Sequence, residues 1–175
     1  MPSYVALLRA VNVGGTGKLA MSDLKAMCMA EGFTKVATYI ASGNVVFCTE
    51  DGAAQVKAAL EQRLHDYAGK PVDVIVRTAD QMAAVHRANP FPDRPPNRVV
   101  AIFLDEPPPG DALDDVRGRS DEELRLGSCE IYVAYGAGMG DSKLKIPAAA
   151  RGTARNINTI AKLSSMAAAL CSDPA

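Results

Sequence analysis

The chain predicts an α+β protein, with a ferredoxin-like βαββαβ first half and a second, smaller α+β half of antiparallel or mixed strands covered by helices. Three observations carry this. Short apolar runs and stretches of three-and-four spacing follow one another as strand, helix, strand, strand, helix, strand from Tyr4 to Val76. Residues 89–97 then hold four prolines and little that is apolar except Phe91. Beyond them the recipe of strands and helices resumes, though without a repeat that aligns residue by residue. The expected division is therefore 1–88, a proline-rich join at 89–97, and 98–175.

Taken in order, Tyr4–Leu8 is apolar on both faces and reads as a strand covered by helices. Ser22 can cap a helix through Leu24, Met27 and Cys28, and Gly32 supplies its left-handed stop. Lys35–Ile40 and Val45–Cys48 read as two strands around the turn Ala41-Ser42-Gly43-Asn44. Val56, Leu60, Leu64 and Tyr67 share one face of a second helix that ends before Pro71. Val72, Val74 and Val76 alternate with Asp73 and Arg77, giving a strand with a defined inner face. Thr78 and Gln81 form a capping box for a third helix carrying Met82 and Val85.

In the second half Val99–Leu104 reads as a central strand and Leu113 with Val116 as a short helix. Leu124–Leu126 and Cys129–Tyr135 form a hairpin about Gly127-Ser128. Two more helices are expected, Ser142–Ala150 and Asn156–Leu170. The second has Ile157, Ile160, Leu163, Ala167 and Leu170 as its buried stripe.

A chain of 175 residues is long enough to bury a core without disulfides or metal. Its net charge of -1 and pI near 6.1 argue against a surface that grips nucleic acid throughout, since that needs a clustered excess of Lys and Arg. Cys28, Cys48, Cys129 and Cys171 lie far apart, as expected for reduced thiols in the cytoplasm. No export signal and no run of the ~20 apolar residues a membrane span requires is legible.

Two loops could meet an anion. Asn12-Val13-Gly14-Gly15-Thr16-Gly17-Lys18 lies between a strand and a helix, where backbone N–H groups can be aimed at a phosphate. It is not a P-loop, because Asn12 stands at the first glycine and Leu19 follows the lysine. The second, Gly136–Lys143, fails as a dinucleotide fingerprint at Asp141, leaving Ser142 and Lys143 at an expected helix N-terminus. From Ser142 to Ser172 there are five basic residues and no acid, whereas Asp105 to Glu123 holds eight acids. Two solvated faces of opposite sign explain this; so does a basic wall facing an anion, with Arg155 as a fork and Asn156 as a cap or contact. His65 and His86 lack metal spacing, and no nucleophile stands beside a base.

Four stretches then make a pattern: Tyr4–Gly15, Thr38–Phe47, Asn89-Pro90-Phe91-Pro92 and Thr153–Thr159. In combination they resemble DUF1697, a bacterial family of unknown function, over nearly the whole chain. The family often has glycine at position 10, isoleucine at 11, glutamine at 41 and tryptophan at 157, where this chain has Ala10, Val11, Ala41 and Ile157. The resemblance implies a cytoplasmic α+β protein with a ferredoxin-like first part. It brings no substrate, cofactor or catalytic residue.

The expectation from the residues is a binding protein for a phosphate-bearing small molecule or nucleotide, in a crevice between the two halves. Arg9, Asn12, Gly14, Ser42 and Asn44 would supply one side, and Ser142, Lys143, Arg155 and Asn156 the other. An enzyme acting on such a ligand is the first alternative. A nucleic-acid or protein interaction module using the basic C-terminal segment is the second. No metal site, membrane partner, cofactor or oligomeric state is read from the sequence.

Overall fold

The computed structural model describes residues 1–12 and 18–172. Among these the chain forms eight strands in two four-stranded sheets, together with four helices. It divides into two compact units, Met1–Ala83 with Lys162–Ala175, and Ala84–Ala161. The first unit thus takes in residues 162–175, which a boundary at 89–97 would assign to the second half.

In the first unit the order is β1 (Ser3–Leu8), α1 (Met21–Ala30), β2 (Thr34–Thr38), β3 (Asn44–Cys48), α2 (Ala53–Ala68) and β4 (Val74–Thr78), followed by the start of α3 (Ala79–Arg87). The sheet runs β2-β3-β1-β4 with every neighbouring pair antiparallel. This is the split-βαβ order that the alternation of elements predicts. Tyr4, Ala6 and Leu8 point to the same core as Val45, Phe47 and Val74, and Leu24, Cys28, Val56, Leu60 and Leu64 from α1 and α2 pack on it. Phe33 stacks on Phe47 with ring centroids 4.5 Å apart. Each fully buried Leu or Phe contributes about 1.5 to 3 kcal/mol, so this face is the main source of the unit's stability.

The opposite face is buried too. Val5, Leu7 and Val46 are inaccessible, and Ser3 Oγ donates to the carbonyl of Ala167 (2.9 Å) in α4 (Ile157–Ser172). Arg77, opposite Val5 in the register, is therefore only 9% exposed, and its Nη1 donates to the Val76 carbonyl. Alternation along this strand correctly identifies one inner face but misses that the sheet has two. At the sheet's β4 end, Lys57 Nζ donates to the Val74 carbonyl and the Val74 N–H to Glu61. An i,i+4 ion pair on α2 thus satisfies an edge residue that would otherwise offer its backbone to another strand.

In the second unit β5 (Val99–Phe103), β6 (Glu123–Leu126), β7 (Glu130–Ala134) and β8 (Thr153–Asn156) run β6-β7-β5-β8, again all antiparallel. Adding four to every strand label of the first sheet gives the second. The likeness extends to detail: Arg77 and Arg155 each stand next to last in the final strand, buried, with Nη1 on the preceding carbonyl. Thr78 and Asn156, which follow them, each cap the next helix, through Thr78 Oγ1 to the Gln81 N–H and Asn156 Oδ1 to the Thr159 N–H.

Five local expectations are corrected. Helix α1 begins at Met21 behind Ala20 rather than at a Ser22 cap, because the backbone of Leu19 is already gripped by Asn12. Tyr67 is 48% exposed and does not belong to the buried face of α2. Residues around Leu113 and Val116 form turns, and Ser142–Ala150 is not an α-helix: one 3-10 turn, Met139–Asp141, ends just before it and a second, Pro147–Ala149, lies within it. Pro147 cannot donate to a carbonyl four residues earlier, and Leu144 with Ile146 alternates inward while Lys145 bridges Arg117. Finally, Thr153–Asn156 is a strand paired with β5 rather than the opening turn of the last helix.

Cys28, Cys48 and Cys129 are in no disulfide among the described residues. Burial, with a smaller push from Glu31, raises the Cys28 thiol to about 12, and Cys48 is buried as well. A thiol reagent on the native protein, followed by peptide mapping, is expected to modify Cys129 while sparing Cys28 and Cys48 until the protein is unfolded. Equal rates at Cys28 and Cys129 would contradict this packing. Among the described residues, no helix is long and apolar enough to cross a membrane.

Candidate functional site

One end of the first sheet concentrates unusual backbone. Where β1 stops, Ala10 and Asn12 take positive φ of 54° and 55°, and across from them Ile40 takes 50° and Gly43 90°. Left-handed geometry costs a non-glycine residue on the order of 1 kcal/mol or more, most for a β-branched one, so something must hold these turns together. Asn12 does. Its Nδ2 donates to the carbonyls of Leu19 and Ala41 (both 2.8 Å) and its Oδ1 accepts from the Leu19 N–H (2.7 Å). One side chain thereby closes the base of the glycine-rich loop and ties it to the turn after β2.

The turn is locked from its other side. The Leu8 N–H donates to the Gly43 carbonyl (2.9 Å), and buried Asn44 donates through Nδ2 to the Tyr39 carbonyl and Ser42 Oγ. Arg9 lies on the β4 side, with its N–H on the Asp73 carbonyl and Nη1 3.9 Å from Asp73 Oδ2. Asn12, Ser42 and Asn44 are thus brought to one corner, each making bonds within the chain. Gly14 lies outside the described residues.

Beside this corner is a cavity of about 240 Å³. Ala10 and Val11 from the end of β1 meet Leu19, Leu64 and Val72 to make an apolar floor. Lys18, Tyr67, Ala68 and Lys70, all exposed to solvent, complete the described lining. Tyr67 Oη donates to Asp23 Oδ2 (3.0 Å), bridging α2 to the first turn of α1, and this bond holds the phenol above its usual pKa. Sequence reasoning missed Tyr67 and Lys70. The signal was the run Gly69-Lys70-Pro71, where Gly69 ends α2 in left-handed geometry.

The second unit places its residues differently. Ser142 Oγ donates to Glu122 Oε1 (2.5 Å), and the Ser120 N–H donates to Glu122 Oε2 (2.6 Å). The adjoining hollow, about 280 Å³, is lined by Asp121, Glu122 and Asp141 against the single cation Lys143. Three carboxylates there oppose an anion, so the helix-terminus premise for Ser142 and Lys143 falls on both structure and charge. Arg155 is buried, donating from Nη1 to Thr153 Oγ1 (2.8 Å) and the Ala154 carbonyl (2.9 Å); desolvation lowers its pKa to about 10. Asn156 is the helix cap described above.

The bonds from Ser142 and Ser120, in that order, hold the Glu122 carboxyl below the ordinary range. A depressed folded-state pKa means that this contribution to stability is present above the unfolded value and lost as pH falls through the folded one. In a carboxyl NMR titration Glu122 is expected to protonate below the ordinary glutamate value, and Ser142→Ala to raise its midpoint. An unmoved midpoint would mean the bond does not exist in solution.

The family model "Protein of unknown function (DUF1697)" matches residues 1–132. The chain belongs to the DUF1697 family. The matched span contains the Asn12 clamp, the turn before β3, and every residue of the cavity, while the motif at 153–159 lies beyond it. Among solved structures, the conserved bacterial protein SP0830 from Streptococcus pneumoniae is similar, at 25% identity and a TM-score of 0.78 over 95% of this chain and 98% of that one. This agrees with a mixed α+β fold for the DUF1697 chain. No curated protein matches it. Among the described residues no group of His, Cys, Asp and Glu is placed to hold a metal ion.

Proposed function

We propose that this DUF1697 protein is a cytoplasmic binding protein for a phosphate-bearing small molecule or mononucleotide, held in the first unit's cavity with its charge between Lys18 and Lys70. The observation that carries the reading is the described lining itself: two lysines and no acid above an apolar floor whose Leu19 is fixed by Asn12. Ligand pockets commonly occupy about 300 to 1,000 Å³, so a cavity of this size suits a small ligand and not a dinucleotide. The described lining has no carboxylate, histidine, serine or cysteine, which favours binding over catalysis. Cys28, Cys48 and Cys129, in no disulfide among the described residues, suit a reducing compartment.

A thermal-shift screen of sugar phosphates, aryl phosphates and mononucleotides tests this. A ligand at a hundred times its dissociation constant adds about 2.7 kcal/mol, or roughly 5 to 10 °C in Tm for a chain of this length. The double variant Lys18→Gln, Lys70→Gln is expected to lose the shift while its unliganded Tm stays nearly constant, because both lysines are exposed. An undiminished shift in that variant would exclude this cavity.

A further inference from the structure

The cavity's walls say more about the ligand than its charge. Six of the nine lining residues are alanine, valine or leucine and carry no polar side-chain atom. The backbone of Leu19, which lines the wall, is already taken, because Asn12 holds both its N–H and its carbonyl. Tyr67 has committed its one proton to Asp23, so what it adds to the lining is chiefly ring. The remaining polar side chains of the described lining are the ammoniums of Lys18 and Lys70, on residues that face solvent.

A ligand body rich in hydroxyls would leave them unpaired against this wall, and a buried polar group without a partner is costly. A flat apolar body would instead cover Val11, Leu19, Leu64 and Val72 and meet the Tyr67 ring, with its anion left at the lysines. We infer that the ligand is an aromatic phosphate monoester, whose hydroxyl-free ring lies on the Val11, Leu19, Leu64 and Val72 floor beside Tyr67. This rests on the proposed binding role of the same cavity and adds the chemical class.

Calorimetric titrations of phenyl phosphate, ribose 5-phosphate and inorganic phosphate separate the two claims. Phenyl phosphate is expected to bind at least about tenfold tighter than ribose 5-phosphate, the cost of roughly one unpaired hydroxyl. Tyr67→Phe should retain that preference. Tyr67→Ala, which removes the ring, and Val72→Thr, which puts a hydroxyl on the floor at little change in shape, should each reduce it severalfold. Ribose 5-phosphate binding as well as or better than phenyl phosphate would overturn the aromatic assignment and leave the binding role standing. So would a preference that survives Tyr67→Ala and Val72→Thr undiminished. Failure of all three phosphates to bind would overturn both.

Discussion

Gly43→Ala is expected to destabilise the protein by about 3 kcal/mol or more, lowering Tm by roughly 6 to 12 °C. Two costs combine. The residue sits at φ +90°, which an L side chain rarely adopts. An added Cβ would also lie 2.6 Å from Val11 Cγ2 and 2.9 Å from Leu8 Cβ. Neither neighbour can retreat, since Leu8 is fully buried and Val11 nearly so. Gly32 provides the control, because it has φ +86° with nothing within 4 Å of its added Cβ. Gly32→Ala should therefore lose only the conformational part, about 1 to 2 kcal/mol. Equal losses at the two positions in thermal or urea denaturation would show that the turn before β3 does not press on the end of β1.

Asn12→Asp is the second large effect, about 2 kcal/mol at neutral pH. The substitution keeps the oxygen that accepts from the Leu19 N–H, and replaces the amide that donates to two carbonyls with a carboxylate oxygen that repels them. The deficit should shrink in acid, where a protonated carboxyl can return one donor. Losing the clamp also loosens Leu19 and the entry to α1, so binding at the cavity should weaken along with stability. A variant as stable as the parent at neutral pH would remove Asn12 from its place as the fastener of this corner.

The first sheet was legible because β1 and β3 are continuous apolar runs, β4 alternates, and each helix shows a stripe with a stop. The second unit was harder for a physical reason. Its sheet has the same strand order, but turns and short 3-10 segments stand where the first unit has α1 and α2. Leu113, Val116, Leu144 and Ile146 are therefore apolar anchors of irregular chain, and their spacing imitates helices. Thr153–Asn156 is short and runs directly into α4, so only its pairing with β5 identifies it as a strand.

At the candidate site, Asn12, Ser42 and Asn44, which the sequence singles out, meet at one corner. The sequence could not tell that Asn12 and Asn44 hold the backbone together, because that depends on carbonyls distant in sequence. The lysines that line the cavity come from opposite ends of unrelated segments, the glycine-rich loop and the turn after α2. Their proximity is a product of the fold alone. Arg77 shows the same limit: alternation marks it as outward, and a second covered face buries it.

An amide NMR titration of the whole chain with phenyl phosphate tests the central claim most directly. Saturable shifts at Ala10, Leu19, Tyr67, Lys70 and Val72, abolished by Lys18→Gln with Lys70→Gln, are the result this account predicts. Shifts confined to Ser120, Glu122 and Ser142, or none at any concentration, would contradict it.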